Sequence, residues 1–570
     1  MDEPAGEQPH PSPAPGPAIP APVLAAVGVS AALILCAAWI GRNLWFFSDD
    51  WNIYADYHSG NLLEPFNGHL SLVPAGLYQM AFHTVGVDSY VPYRILGLVA
   101  LGVLAFQAWR FAGRQMGPWV AVVAVAAVLW NSAGVTNVMF PFLMNFSLPI
   151  AALLAIWWHL DALEQQPGHR ASLVAIGLWT ALALATSGLG VVLVGAVIVE
   201  LLLRRARPAT WLALALPSLA WFAWWLGHRE ANEISTDIGQ VVPYLLRMLW
   251  AGTTAVAAGW KPGGLLLAGL LVAVVVAATV HRRRLDARVG SALTAAFAFA
   301  ALTALTRQDT IPPIPPDELR YGWTIGAFFV FAALAAGCAL LRTEDDQPGL
   351  QVRTGATLGG ATVATVVLVI GAAVLVDDMG DWSDTVEVAA PGLRSNIYAA
   401  EAAGADRLDP GTVIRPLSFV PVTAGAYLDA VASVGSPLAG ATDSDIGGRT
   451  DQRTAADELF FGAVELDLAV VDTVVAAERD CGAEMTALPG STVLVEAAPA
   501  TGGRAIEDQV VALSRFGEEP VVELVVGAQV VAHTLVLPED APVGTEVVVP
   551  YRLKGSDGVR VCVDARPPGP

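Results

Sequence analysis

The pattern of apolar and polar residues changes once along the chain, near residue 376. Before that point, long apolar runs alternate with short polar connections, and most runs approach the ~20 residues that a helix needs to cross a bilayer. The runs lie at 23–41, 91–111, 118–131, 142–160, 172–186, 189–203, 211–226, 263–280, 291–306, 321–341 and 356–376. This pattern predicts a polytopic α-helical membrane protein with about eleven transmembrane helices.

Beyond residue 377 the apolar runs are short, alternate with polar residues and end at Gly, Pro or Asp. They include "STVLVEA", "PVVELVVGAQVVAHTLVL", "GTEVVVPYRL" and "VRVCVDA". Such turn-punctuated strands predict an antiparallel β-sandwich, and "PVTAGAYLDAVASVG" before them predicts a helix. We therefore expect a disordered Pro- and Ala-rich tail at 1–22, a membrane domain at 23–376 with an outer loop at 45–90, and a mainly β domain at 377–570.

Composition supports a membrane protein. The chain is 55% hydrophobic and 15% charged, with a mean hydropathy of +0.55. Almost all of its net charge of −21 lies beyond Asp377, where 31 Asp and Glu residues face 12 Lys and Arg residues. An acidic domain of this kind argues against nucleic-acid binding, which depends on basic groups that neutralise phosphates.

The basic residues predict the orientation of the chain in the plasma membrane. They cluster on alternate connections, at Arg110, Arg114, Arg170, 204–207, 281–284, Arg288, Arg342 and Arg353. The excess of basic residues on cytoplasmic loops assigns these connections and the N-terminus to the cytoplasm. The loop at 45–90 and the C-terminal domain are then extracytoplasmic. Cys481 and Cys562 lie in that domain and form a candidate disulfide, whereas Cys36 and Cys338 fall within predicted spans.

Several common chemistries lack their signatures. The two lysines, Lys261 and Lys554, do not complete a Gly-Lys-Ser/Thr phosphate loop. The chain also lacks HExxH, GxSxG and CxxC motifs. Energy for any reaction must therefore come from an activated substrate or from a gradient.

The main candidate site is "WFFSDDWNIYADYHSGNLLEPFNGHLSLVP", which follows the first span. Asp49 and Asp50 come directly after the apolar run. A carboxylate at a membrane interface can act as a general base or bind a cation, and repulsion between adjacent carboxylates can raise the pKa of one of them. The alternative is that Asp49 caps a short external helix and Asp50 is simply solvated.

A second candidate is Arg320–Tyr321 in the outer segment "RQDTIPPIPPDELRYGW". A guanidinium there can hold a phosphate through two hydrogen bonds without losing its charge. The alternative is an arginine that extends to the interface beside an interfacial tyrosine. Arg307 and Asp309 in the same region could serve instead.

Two further outer segments have candidate roles. "TNVMFPFLMNFSLP", which contains Asn145, could line a sugar or prenyl groove or form an interfacial aromatic belt. The connection at 227–260 is long enough to form a lid.

The Asp-Asp pair followed by "FNGHLSLVPAGLYQMAFHTVGVDSYVPYR" resembles GT-C membrane glycosyltransferases, particularly actinobacterial mannosyltransferase-like proteins. The resemblance implies a polyprenyl-phosphate sugar donor, transfer on the outer face and an acidic general base in the first outer loop. By position the base is Asp50 or Asp49, with a slight preference for Asp50. Arg320–Tyr321 match a position that would bind the donor phosphate. His69 matches a position that would bind the lipid phosphate or the sugar, although a histidine at 69 could also cap a helix at 70–85.

The resemblance leaves other assignments open. His58, Glu64, Asn67 and Asn145 are candidate substrate contacts or ordinary surface groups. A divalent cation is a candidate cofactor with Asp49 and Asp50 as ligands, and the acceptor is a glycan, a glycolipid or a protein. The chain departs from protein O-mannosyltransferases because it has no clear acidic motif in a second outer loop. Its terminal β domain is similar to the carbohydrate-binding modules of mycobacterial arabinosyltransferases.

Two other functions compete with glycosyl transfer. A transporter or flippase of a lipid-linked envelope precursor predicts ionisable residues near the membrane midplane and broken helices. The charges of this chain gather instead at the outer rim. A non-catalytic envelope assembly protein predicts that the Asp-Asp loop is dispensable.

Overall fold

A computed structural model describes most of the chain. The described residues are 19–228, 237–307, 314–341, 357–405, 408, 410–414, 421–439, 441 and 446, together with the backbone of six strands between 466 and 563. The predicted disordered tail at 1–22 lies almost entirely outside them.

The described residues form sixteen α-helices. Their bounds are Ala21–Ile40 (α1), Asp49–Tyr57 (α2), Leu72–Val85 (α3), Val91–Met116 (α4), Pro118–Leu129 (α5), Val135–Met139 (α6), Met144–Gln165 (α7), Arg170–Leu184 (α8), Leu189–Arg204 (α9), Pro208–His228 (α10), Ile238–Val256 (α11), Lys261–Arg282 (α12), Ala287–Arg307 (α13), Leu319–Leu341 (α14), Thr357–Ala403 (α15) and Ala424–Val434 (α16).

All eleven predicted runs coincide with helices, but not all of these helices are long and apolar enough to cross a membrane. Seven helical segments of the described chain meet that condition: Ala21–Asn43, Val91–Met116, Pro141–Gln165, Pro208–His228, Lys261–Arg282, Ala287–Arg307 and Leu319–Leu341. Helices α5 and α8 are apolar but shorter, with 12 and 15 residues. Among its described residues the structure therefore shows a mostly helical protein with seven candidate spans, and the other four of the eleven predicted transmembrane helices stay predictions.

Burial differs among these helices. Large side chains of α7 and α14 are fully enclosed, including Trp157, Trp323 and Phe328. By contrast, α10 and α12 leave leucines such as Leu216 and Leu266 exposed. A helix that is apolar on its exposed face is suited to contact with lipid, whereas α7 and α14 form the core.

The connection at 227–260, predicted as an external loop, is a helix over 238–256, so a loop there is wrong, and a role as a lid stays a prediction. The Asp237 side chain caps α11 by accepting a hydrogen bond of 2.9 Å from the Gly239 N–H. The helix packs along α14, where a Cβ at Gly252 would lie 2.4 Å from Ile325 Cγ2. Polar residues such as Arg247 interrupt its apolar run, which explains why the pattern did not predict it.

The chain divides into two compact units. The first comprises 1–41, 65–73 and 95–380, and the second comprises 42–64, 74–94 and 381–570. The predicted outer loop at 45–90 therefore contributes to both. Helix α15 continues through residue 377, so the strands expected from that point begin later.

Within the second unit, α2 packs against α16. Tyr54 on α2 and Tyr427 on α16 have ring centroids 5.7 Å apart, and the Tyr54 hydroxyl donates to the Gly435 carbonyl at 2.6 Å. Phe47, just before α2, contacts Trp382 on α15 at 5.8 Å. Side chains from the later part of the chain thus support the segment that carries the aspartate pair.

The strands are short and pair two by two. They are Val413–Ile414 (β1), Val422–Thr423 (β2), Leu466–Asp472 (β3), Ala483–Ala487 (β4), Val522–Val525 (β5), Gln529–Leu535 (β6), Tyr551–Lys554 (β7) and Val559–Val563 (β8). The pairs β1–β2, β3–β6 and β4–β8 are antiparallel, whereas β5–β7 is parallel. Three of the four described pairs are antiparallel, as predicted, and the parallel β5–β7 pair is not; the β-sandwich itself stays a prediction. The candidate disulfide between Cys481 and Cys562 falls outside the described side chains.

Candidate functional site

The aspartate pair forms the first turn of α2. The chain leaves α1 through a short 3-10 turn at Gly41–Asn43, and Asp49 begins the new helix. Acidic side chains at this position are stabilised by the positive end of the helix dipole. The two residues differ in burial, because Asp49 is half-exposed whereas Asp50 has no exposed surface.

Asp50 is held by neutral hydrogen-bond donors. The Tyr78 hydroxyl donates to Oδ1 at 2.6 Å, and the Tyr90 hydroxyl donates to Oδ2 at 2.5 Å. The Phe47 backbone N–H donates to Oδ2 at 3.1 Å. Both carboxylate oxygens are therefore occupied by groups of the second unit.

Burial raises the pKa of Asp50 from 3.8 to about 7. The hydrogen bonds from Tyr78, Tyr90 and Phe47 oppose this effect because they stabilise the carboxylate, and the charge of Asp49 adds to it. Burial and the nearby carboxylate raise the pKa of Tyr78 and of Tyr90 well above its ordinary value, so both remain donors. Asp50 can therefore exchange a proton near neutral pH, the range that suits acid–base chemistry.

Sequence reasoning missed the two tyrosines. Both occur in the segment that carries the family resemblance, but they follow Asp50 by 28 and 40 residues. At such separations only the packing of α3 and the start of α4 against α2 brings them to one carboxyl group.

His58 and Glu64 have structural roles in the same unit. The His58 ring Nδ1 lies 3.0 Å from the Ala55 carbonyl, and the His58 carbonyl lies 3.0 Å from His83 Nε2. The Glu64 side chain is exposed, and its backbone carbonyl accepts a 2.9 Å hydrogen bond from Tyr57. These contacts are local, and a substrate contact by either side chain stays a prediction.

Asn67 belongs to a tight turn that positions His69. Asn67 and Gly68 have φ angles of 50° and 75°, and Phe66 and His69 exchange backbone hydrogen bonds of 2.8 and 2.9 Å. Asn-Gly is the preferred pair for such a turn because both positions need a positive φ. Asn67 itself is exposed, so its backbone conformation accounts for its presence.

The His69 ring packs against Gly188 in the first unit. A Cβ at residue 188 would lie 2.8 Å from His69 Nδ1, so the close approach requires glycine. Burial lowers the pKa of His69 to about 4, and the charge of Arg307 acts in the same direction. His69 is therefore neutral at physiological pH and can offer a phosphate a hydrogen bond but no positive charge.

Arg320 and Tyr321 lie in the first turn of α14. The Tyr321 ring is buried against Phe146 and Phe299, with centroid distances of 6.5 and 5.8 Å. Arg320 is half-buried, and its Nε lies 3.8 Å from the Glu318 carboxylate, which is longer than a hydrogen bond.

Arg307 joins the Arg320 region. Tyr244 on α11, whose hydroxyl donates to the Ile314 carbonyl at 2.9 Å, interacts electrostatically with both Arg307 and Arg320. Since Arg307 also acts on His69, the first unit gathers two guanidinium groups and one neutral imidazole in one region. Asp309 lies outside the described residues.

Asn145 lies near the His69 region. Its backbone carbonyl accepts a 2.7 Å hydrogen bond from the hydroxyl of Ser187, the neighbour of Gly188. Its side-chain Oδ1 is buried and has no hydrogen-bond partner among the described residues.

The candidate residues thus divide between the two units. Asp49, Asp50, His58 and Glu64 belong to the second, and Asn67, His69, Asn145, Arg320 and Tyr321 belong to the first. In the described part of the chain, no group of three or more His, Cys, Asp or Glu side chains is placed to hold a metal ion.

Comparisons with known proteins found limited similarity. No protein-family model matches the chain, and no curated protein matches it. Two crystal structures of ArnT from Cupriavidus metallidurans are similar, one bound to undecaprenyl phosphate and one in the apo state. Each has 15% identity and a TM-score of 0.41, and the matches cover 82% and 81% of this chain and 95% of each ArnT chain. Similarity of this degree assigns neither a family nor an activity to the chain.

Proposed function

We propose that the protein is a GT-C-like glycosyltransferase that transfers a sugar from a polyprenyl-phosphate donor to an acceptor hydroxyl on the outer face of the membrane. One observation carries this proposal. The half-exposed Asp49 adjoins the fully buried Asp50 directly after the first apolar helix, and Asp50 is held in place by two tyrosine hydroxyls and a backbone N–H. Such a pair suits the activation of a hydroxyl nucleophile.

The two aspartates have different roles in this proposal. The acceptor hydroxyl gives its proton to Asp49, whose side chain solvent can reach. The acceptor oxygen then bonds to the anomeric carbon of the sugar as the bond from that carbon to the phosphate oxygen breaks. Asp50 was slightly favoured by sequence, but its complete enclosure by Tyr78, Tyr90 and Phe47 suits a positioning residue better.

The leaving group is polyprenyl phosphate, which carries negative charge. We assign Arg320 and Arg307 to its neutralisation, because a guanidinium keeps its charge in a partly buried site. Arg320 is suited to this role since, among the described residues, the carboxylate that it approaches is that of Glu318, at 3.8 Å. His69, which is neutral, would add a hydrogen bond.

The transporter alternative receives less support. Among the described residues of the candidate spans, Arg94 lies near the start of α4, and Arg288 near the start of α13 pairs with the partly buried Asp161 near the end of α7, so these charges lie at helix ends. Proton or ion relays instead need ionisable groups within the spans.

The test is transfer of radiolabelled sugar in membranes that contain equal amounts of each variant. Polyprenyl phosphates carrying mannose, glucose or arabinofuranose serve as donors, and a cell-envelope fraction serves as acceptor. We expect Asp49→Asn to lower the rate about 10²- to 10⁴-fold, the usual contribution of a general base. Arg320→Ala should also lower it, whereas Asp56→Asn, an exposed aspartate on the same helix, should not.

Two results would contradict the proposal. If the wild-type protein transfers sugar from none of these donors, the glycosyltransferase assignment fails. If transfer occurs and survives in Asp49→Asn but is lost in Asp50→Asn with the fold intact, the roles of the two aspartates are reversed.

A further inference from the structure

Asn137 is a buried side chain without a structural explanation. It lies on the short helix α6, in the broken connection between α5 and α7, and is 4% exposed. Neither its amide oxygen nor its amide nitrogen has a hydrogen-bond partner among the described residues. Most buried polar groups in proteins are paired, and an unpaired amide costs free energy, so such a group needs a reason.

Asn131 and Ser132 of the same connection bond to the backbone, whereas the Thr136 hydroxyl, like the Asn137 amide, has no hydrogen-bond partner among the described residues. The Asn131 Oδ1 accepts a 3.0 Å hydrogen bond from the Ala133 N–H, although its Nδ2 has no hydrogen-bond partner in the described part of the chain. The Ser132 hydroxyl donates to the Ala255 carbonyl at 3.0 Å. These residues stabilise the turn and its contact with α11, whereas Asn137 contributes to neither.

The chain on both sides of Asn137 contacts the region that we assign to the donor phosphate. On one side, a Cβ at Gly134 would lie 3.2 Å from the ring of Trp323, one turn beyond Arg320. On the other side, the Phe142 ring lies 5.0 Å from Phe66, which pairs with His69. Asn137 is therefore part of the surroundings of that region.

We propose that Asn137 binds hydroxyl groups of the sugar that the donor carries. This inference rests on the proposed function. A carboxamide has one acceptor oxygen and two N–H donors, which match a pair of hydroxyls that each donate and accept. A phosphate would leave the amide oxygen unpaired, and a prenyl chain would leave both atoms unpaired. The sugar is the part of the donor that can form hydrogen bonds with both the amide oxygen and the amide nitrogen of Asn137.

A site built to bond a hydroxyl discriminates strongly against a ligand that lacks it, because the protein group is then left unpaired. Asn137 should therefore distinguish a sugar-bearing lipid from the bare lipid phosphate. Arg307 and Arg320 should bind both, since both carry the phosphate.

The experiment compares the affinity of the full-length protein in lipid nanodiscs for bare polyprenyl phosphate with its affinity for polyprenyl phosphates bearing mannose, glucose or arabinofuranose. We expect Asn137→Leu to lower affinity for the preferred sugar-bearing lipid at least tenfold and to leave affinity for the bare lipid unchanged. Its melting temperature should not fall, since leucine of similar size removes an unpaired amide.

Asn131→Leu is the matched control. It removes an equally buried asparagine from the same connection, so it should lower the melting temperature. The ratio of the affinity for the sugar-bearing lipid to the affinity for the bare lipid should not change. If Asn137→Leu does not fold, Asn137→Ser replaces it and should reduce the ratio by a smaller factor.

Other outcomes would overturn the inference. An unchanged ratio in Asn137→Leu, with a lower melting temperature, would identify Asn137 as a ligand of a buried water. A wild-type protein that binds the bare lipid as tightly as all three sugar lipids lacks the sugar contact. A wild-type protein that binds none of the lipids contradicts the proposed function itself.

Discussion

Two carboxylate sites in this chain are buried with different kinds of partner, neutral hydrogen-bond donors at one and arginines at the other. In the second unit, Asp50 is surrounded by neutral donors, namely Tyr78, Tyr90 and a backbone N–H. In the first unit, Glu200 on α9 has no exposed surface but pairs with Arg204 at 2.8 Å and with Arg288 at 2.9 Å.

The arginine-paired site is larger. Asp161 on α7 pairs with Arg288, with Arg204 at 3.0 Å and with Arg114 at 3.8 Å. Three arginines from three predicted cytoplasmic connections thus meet at one carboxylate, which places the ends of α4, α7, α9 and α13 together.

The comparison shows that a buried carboxylate can have one of two roles, depending on its partners. Guanidinium partners offset part of the lost hydration, so the arginine pairs at Asp161 and Glu200 join the ends of helices. Hydroxyl donors also offset it only in part, and the pKa of Asp50 reaches about 7. The first arrangement joins helices, and the second permits proton exchange near neutral pH.

The largest expected effect comes from a substitution in the arginine-paired site. Arg288→Met removes a partner from both Glu200 and Asp161 and leaves a buried negative charge. We expect a loss of about 3–5 kcal/mol in the free energy of unfolding. Thermal unfolding in detergent measures it, and adding Glu200→Gln should recover part of the loss. A loss no greater than that of an exposed arginine would show that the pairs contribute little.

Asp50→Asn tests the neutral site through pH. Because the folded-state pKa of about 7 exceeds the ordinary value of 3.8, folded protein binds more protons between these values. The stability contributed by this group therefore falls as pH rises from about 4 to about 7, by at most about 4 kcal/mol.

The asparagine variant cannot ionise and should lack this slope. The measurement is the difference in melting temperature between the wild type and Asp50→Asn across that pH range. A difference that stays constant with pH would contradict the raised pKa of Asp50.

Tyr90→Phe sharpens the same comparison. It removes one hydrogen bond to the Asp50 carboxylate, of the kind that contributes about 1.5–3 kcal/mol when one partner is charged. The pKa of Asp50 should therefore rise further, and the upper end of the pH window should move about one unit or more above 7. The same pH series measures this shift, with Tyr398→Phe, an exposed tyrosine, as the control.

The smallest effect is expected at the edge of the charged site. Arg114 lies 3.8 Å from Asp161 and its side chain is 23% exposed. Partly exposed pairs at such distances contribute about 0–1 kcal/mol. Arg114→Gln should therefore change the melting temperature far less than Arg288→Met. An equal effect would mean that the three arginines act as one unit.

Local features of the chain could be predicted from sequence because they depend on neighbouring residues. The apolar runs placed helices correctly, and the Asp49–Asp50 pair fell at a helix start, as its charge favours. The Asn-Gly pair at 67–68 forms a turn for the same local reason. The sequence pattern did not predict helix α11, because polar residues interrupt its apolar run and its stability comes from packing on α14.

By itself the sequence determined a multi-pass helical chain, an acidic C-terminal part and an aspartate pair after the first apolar helix. The tertiary structure decided which aspartate is buried, which tyrosines hold it, and that Asn137 is enclosed without a described partner. The reason is physical. Helix formation and turns follow from local periodicity and backbone preference, whereas the pKa of a group and the pairing of a buried amide depend on atoms that lie far away in the chain.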